Sequence, residues 1–169
     1  MHGACRTSGC MALLAIVSMV VAQSLFGGLP IDGIQCNATE GVVEHVHAQL
    51  QIFDRGKPVA IPAGVGMPQG RGCLYWVHTH TPDGYIHIES PVTRTFTLGQ
   101  FFDIWGQPLS WTRAAGSIAP HGFRLHVWVN GKPWHGSNPR AIVLHDHEAI
   151  VIQNASPFAK PVPADWSKL

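Results

Sequence analysis

Residues 42–53 read VVEHVHAQLQIF, and the alternation in this stretch decides the fold class. Val46, Ala48, Leu50 and Ile52 fall on one side, and His45, His47, Gln49 and Gln51 on the other. A period of two is that of a strand with one face buried and one wet. Arg55-Gly56 then turns the chain into a second apolar run over 57–61. Downstream, 74–80 and 85–89 read as strands joined by the turn signal Pro82-Asp83-Gly84. Residues 62–72 hold four glycines and two prolines and are expected to form a loop. Further strands are predicted over 123–129, 141–144 and 149–152, with Asn130-Gly131 as a hairpin turn. Residues 50–58 and 125–133 echo each other, each running from a strand through a turn at Gly to Lys-Pro.

One segment has helical spacing. Thr97 and Gln100 form a capping box, and Leu98, Phe101, Phe102 and Trp105 recur at helical intervals before Gly106 and Pro108 end the run. The expected fold is mainly β, a small sandwich or barrel of about 6–8 strands with one short amphipathic helix over 98–105. The aromatic stripe of that helix is expected to enter the core.

Outward from this domain, the N-terminus sets the compartment. Residues 11–22 (MALLAIVSMVVA) are apolar but for Ser18, Arg6 precedes them, and Val20-Val21-Ala22 ends them with small residues. That is the pattern of a secretory signal. The apolar character resumes over 25–29, so an uncleaved membrane anchor also fits. The chain divides into 1–28 signal peptide or anchor, 29–41 linker, 42–155 β-rich domain and 156–169 Pro-rich tail, expected to be poorly ordered. An extracytoplasmic location follows. Eleven Lys and Arg against ten Asp and Glu leave no basic patch, which argues against nucleic acid as a partner. Cys36 and Cys73 are the two cysteines beyond the leader and would most simply pair in an oxidising compartment; metal ligation by one thiolate is the rival reading.

Ten of the eleven histidines follow the leader, and six form i, i+2 pairs: His45/His47, His78/His80 and His145/His147. On a strand such pairs point to one side and can offer two imidazoles to one metal. His78 and His80 precede the Pro82-Asp83-Gly84 turn, and His87 and Glu89 follow it. If Asp83-Gly84 alone makes the turn, His80 faces His87, His78 faces Glu89, and all four share a face. A three-residue turn would slip the register by one and send the two pairs to opposite sides. A neighbouring strand carrying His45 and His47 would complete the set. The candidate metal ligands are therefore His78, His80, His87, Glu89, His45 and His47. Imidazole with carboxylate suits Zn, Cu(II), Fe or Mn, and Met67 is the one methionine beyond the leader, which speaks against a Met-rich Cu(I) site. Binding is expected to weaken as pH falls through about 6–7, because protonated imidazole cannot ligate. His145-Asp146-His147-Glu148 is a weaker candidate for a second site, and His121, His126 and His135 are expected not to ligate.

Three enzyme patterns come near. Gly72 through His78-Thr79-His80 resembles the first cupin motif, but Gly84 and Tyr85 stand where its glutamate belongs. The run Gly116, Pro120, Gly122, His126, Asn130 resembles the second with two wrong spacings. The same histidines with Pro82 and Ser90 are similar to JAMM-type metalloproteases, but Thr81 and Thr93 replace the proline and aspartate required there. No GxSxG or HExxH occurs. A broader resemblance covers Cys36-Asn37-Ala38, Glu44-His45-Val46-His47, residues 73–91 (CLYWVHTHTPDGYIHIESP) and 96–109 (FTLGQFFDIWGQPL). These look like a family of exported bacterial proteins of uncharacterised activity, which join one N-terminal hydrophobic segment to one small domain. The resemblance implies that leader, cysteines and middle histidine cluster belong together; it implies no chemistry. The expectation is an extracytoplasmic, non-enzymatic domain that captures copper or zinc, touching the membrane through its N-terminal segment if that is uncleaved. A small cupin-like metalloenzyme and a structural or partner-binding envelope module, with its aromatics exposed as a patch, are the alternatives.

Overall fold

The computed structural model describes residues 28–169. The expected leader lies outside them except for its last residue. Among the described residues no helix is long and apolar enough to cross a membrane. The strands are β1 (Cys36–Asn37), β2 (Glu44–Asp54), β3 (Lys57–Val59), β4 (Leu74–Tyr75), β5 (Val77–His78) and β6 (Tyr85–Ser90), followed by α1 (Leu98–Trp105). After it come β7 (Arg113–Ala114), β8 (Ser117–Ile118), β9 (His126–Val129), β10 (Lys132–Pro133) and β11 (Glu148–Gln153).

Seven strands form one sheet in the order β10-β9-β11-β2-β6-β5, with β3 also paired to β2. The mainly β expectation holds, but the sandwich or barrel does not: the sheet is open, and β1–β4 and β7–β8 are separate two-stranded ribbons. The physical reason is the second layer. Residues 141–144, expected as a strand, instead leave a 3-10 turn at Pro139–Ala141 and make one isolated bridge, Thr97 to Val143. With no second sheet available, α1 and these loops cover the apolar face. Leu98, Phe101 and Phe102 are fully buried there with Ile142 and Leu144. The capping box of Thr97 and Gln100 starts α1, and Gly106 in the left-handed region ends it. Its stripe belongs to the core, so the exposed aromatic patch of the partner-binding alternative is not formed by the helix.

Strand β2 organises the sheet. It pairs with β11 in parallel along one edge and with β6 and β3 in antiparallel along the other. Its alternation is as predicted: Ala48, Leu50 and Ile52 are buried inward beside Ile86, Ile88, Ile150 and Ile152. The echoed segments are two hairpins of this sheet, with Arg55-Gly56 and Asn130-Gly131 both at positive φ, as a type I′ turn requires. The loop over 62–72 covers the outer edge of β5, exchanging bonds between Gly64, Val65 and Thr79 and between Gly66 and Tyr75. The Cys36–Cys73 disulfide forms beside β1 and β4, which removes the thiolate-ligand alternative. Closing a loop of 37 residues contributes about 3–4 kcal/mol on the chain-entropy view.

The Pro-rich tail, expected to lie loose, packs on the polar face of the sheet. Gln51 exchanges two hydrogen bonds with Val162, and the Tyr85 hydroxyl accepts from the Asp165 N–H at 2.6 Å and donates to the Asp165 carbonyl at 3.1 Å. Trp128 and His126 lie against Phe158. The tail covers the Gln49, Gln51 and Val151 region of this face.

Candidate metal centre

The Thr81–Gly84 turn has neither of the two forms considered from sequence. Strands β5 and β6 pair Val77 with Ile88 and His78 with His87, so four residues, 81–84, separate positions 80 and 85. The register is displaced by two from that of a two-residue turn. Because side chains alternate with a period of two, a slip of two preserves the face, and His78, His80, His87 and Glu89 remain together. Local chemistry sets this turn. The Asp83 carboxylate accepts from the Thr81 hydroxyl at 2.7 Å and from the Tyr85 N–H at 3.3 Å. Gly84 sits at φ +82° with its carbonyl accepting from Leu50 N–H on β2, so close that a Cβ would strike the Leu50 carbonyl.

The neighbouring ladder brings in the third strand. His47 pairs with His87 and His45 with Glu89 across β2 and β6. His45 and His47 on β2, His87 and Glu89 on β6 and His78 on β5 therefore share one face of three adjacent strands, and His80, two residues past β5, joins them against the His78 and His87 rings. A seventh donor, Glu40, comes from the expected linker over 29–41. It precedes β2, where no periodicity marks it. Gly41, which packs against the Ser90 and Pro91 backbone and donates to the Glu89 carbonyl, holds Glu40 over the site.

The donors form two groups, Glu40-His78-His80-Glu89 and His45-His47-Glu89, within each of which the donor atoms lie within 4.8 Å of one another. His78 Nε2 is 3.1 Å from His80 Nε2 and 3.6 Å from Glu89 Oε2, and His80 Nε2 is 3.7 Å from Glu40 Oε1. On the other side, Glu89 Oε1 is 3.4 Å from His45 Nε2 and 3.5 Å from His87 Nδ1. A tetrahedral ion with bonds of about 2.0–2.2 Å sets its donors about 3.3–3.6 Å apart. The observed spacings bracket that value. His87 belongs to neither group; its ring stands between them, 4.6 Å from His47 and 4.5 Å from His80 by centroid.

His78 is oriented for ligation. Its Nδ1 lies 2.9 Å from the Tyr75 carbonyl, which can only accept, so Nδ1 carries the proton and the Nε2 lone pair points into the cluster. A proton on His80 Nε2 can satisfy that lone pair. Glu89 Oε2 and His87 Nδ1 are buried with no hydrogen bond, although His78 Nε2 stands 3.6 Å from the first and Glu89 Oε1 3.5 Å from the second. An orphaned atom of this kind costs about 1–3 kcal/mol, and a cation held between Glu89 Oε2 and His78 Nε2 would relieve the carboxylate oxygen.

Burial also sets the protonation states. It lowers His78 to about 4, with the Tyr75 hydrogen bond opposing, and lowers His87 to about 3, with neighbouring His80 adding to the effect. His47 is lowered by burial and by His45. Burial raises Glu89, and nearby Glu40 adds to this. Neutral imidazoles are the form that binds metals.

The other predicted features do not join the cluster. Glu148 turns inward and accepts from His145 N–H, while His147 stacks on Trp166, so no second site forms from residues 145–148 among the described residues. His126 of the second cupin-like motif stacks on Trp128 under the tail, and the open sheet encloses no barrel. No protein-family model, curated protein or solved structure matches the chain.

Proposed function

We propose that this protein is an extracytoplasmic metal-binding domain that captures a divalent transition metal, copper or zinc, on the histidine-bearing face of its sheet. One observation carries the reading: four donors from Glu40, His78, His80 and Glu89 lie within 4.8 Å of one another, and three of the contacts between them, at 3.1, 3.6 and 3.7 Å, are near the spacing a tetrahedral ion sets. The donor set of imidazole and carboxylate is of borderline hardness and suits Zn or Cu(II). Export is supported by the apolar leader and by the Cys36–Cys73 disulfide, since such bonds persist in oxidising compartments. Exposure of His45 and His80 at the rim favours uptake of an ion from solution over an enclosed catalytic chamber.

Metal analysis of chain purified without an affinity tag, followed by Zn and Cu(II) titration, tests this. Bound metal or a tight site lost in a His78→Ala/His80→Ala variant is the expected result. Protein that holds no metal and titrates without a tight site ends the reading.

A further inference from the structure

Glu89 is the one residue shared by both donor groups. Its two oxygens face different partners. Oε2 lies toward His78, and Oε1 toward His45 and His87. The side chain is 6 % exposed, and Oε2 has no hydrogen-bond partner. A buried carboxylate with a separate set of nitrogen donors against each oxygen has the arrangement of a bridging ligand.

We infer that this face holds two divalent metal ions bridged by Glu89, an inference that rests on the metal-binding reading above. The first ion takes His78, His80, Glu40 and Glu89 Oε2. Four protein donors close its coordination, as in a storage or structural site. The second takes His45, His47 and Glu89 Oε1. Three protein donors leave it one position for water or for an incoming donor from a partner, and His45 stands 57 % exposed beside it. The bridging carboxylate offsets repulsion between the cations, which in two-metal sites generally sit about 3.5–4 Å apart. The closed position fills first, and the open one exchanges.

The test uses the full chain without a tag, with Zn or Cu(II) alone as probe. Equilibrium dialysis against Zn should saturate at two ions per chain. With Cu(II), one equivalent should give an isolated paramagnetic resonance signal. The second should depress intensity per copper and add the half-field transition of a coupled pair. His45→Asn changes an exposed side chain, so the fold should survive and saturation should drop from two ions to one. Glu89→Gln should remove the half-field transition. Saturation at one ion in the unaltered protein, or two copper signals without coupling, overturns the bridged pair and leaves the metal reading standing. Absence of any binding overturns both.

Discussion

His78 and His87 face each other across the β5–β6 ladder with their rings stacked, centroids 5.6 Å apart and planes 13° from parallel. Two imidazoles in this position cannot both carry charge at low cost. The pair is built to stay neutral, and that has a measurable consequence for stability.

His78 titrates near 4 in the fold against about 6.5 unfolded, because burial disfavours its cation. As pH falls below 6.5 the unfolded chain takes up this proton first, so stability drops through the window from 6.5 to about 4 and is flat above it. The full window is worth about 3 kcal/mol. Glu89 and Glu148 act with the opposite sign. Burial raises both carboxyls, so their contribution is present in acid and is lost as pH rises. Comparison with His78→Asn isolates the histidine. In chelator, urea unfolding should show the wild type losing about 3 kcal/mol relative to the variant between pH 7 and pH 4. A difference that does not change with pH would sink this account. The same shift moves the expected loss of metal binding at His78 below the 6–7 window anticipated from unperturbed histidine.

Gly84 decides whether the two halves of the cluster meet. An alanine there would need a left-handed φ and would collide with the Leu50 carbonyl. We expect Gly84→Ala to destabilise by about 2 kcal/mol or more and to weaken metal binding, through displacement of His80 relative to Glu89. Gly70→Ala, also at positive φ but with open space around it, is the control for backbone strain alone. Equal metal affinity in both variants would show that the turn does not set the site.

Tyr85 fastens the tail to the sheet. Tyr85→Phe removes the hydroxyl that accepts from and donates to Asp165. A stability loss of about 1 kcal/mol is expected, with faster chymotryptic cleavage at Phe158 and Trp166. An unchanged cleavage rate would mean that Gln51 and the aromatic contacts hold the tail unaided.

Much of this was legible in the chain. The alternation of residues 44–53 marked the central strand and put His45 and His47 on its polar face, because a period of two leaves no other assignment. The capping box and aromatic stripe marked α1 to its observed ends, since both signals are local. Five of the predicted ligands do share one face of the strands, and His80 joins them from just past β5.

Three things lay beyond it. Which strand flanks β2 depends on non-local pairing, and the parallel β11–β2 ladder joins segments about a hundred residues apart, so nothing local announces an open sheet over a closed one. Glu40 carries no periodic signal; only the close packing of Gly41 on Ser90 brings its carboxylate to His80. The turn at 81–84 was undecidable from Pro-Asp-Gly, which suits several loop lengths. Its register is fixed by Asp83 and by the seat of Gly84 on β2. Histidines i and i+2 apart on a strand were a property of the chain alone. Their convergence on Glu89 is a property of three strands in register, which the tertiary structure supplies.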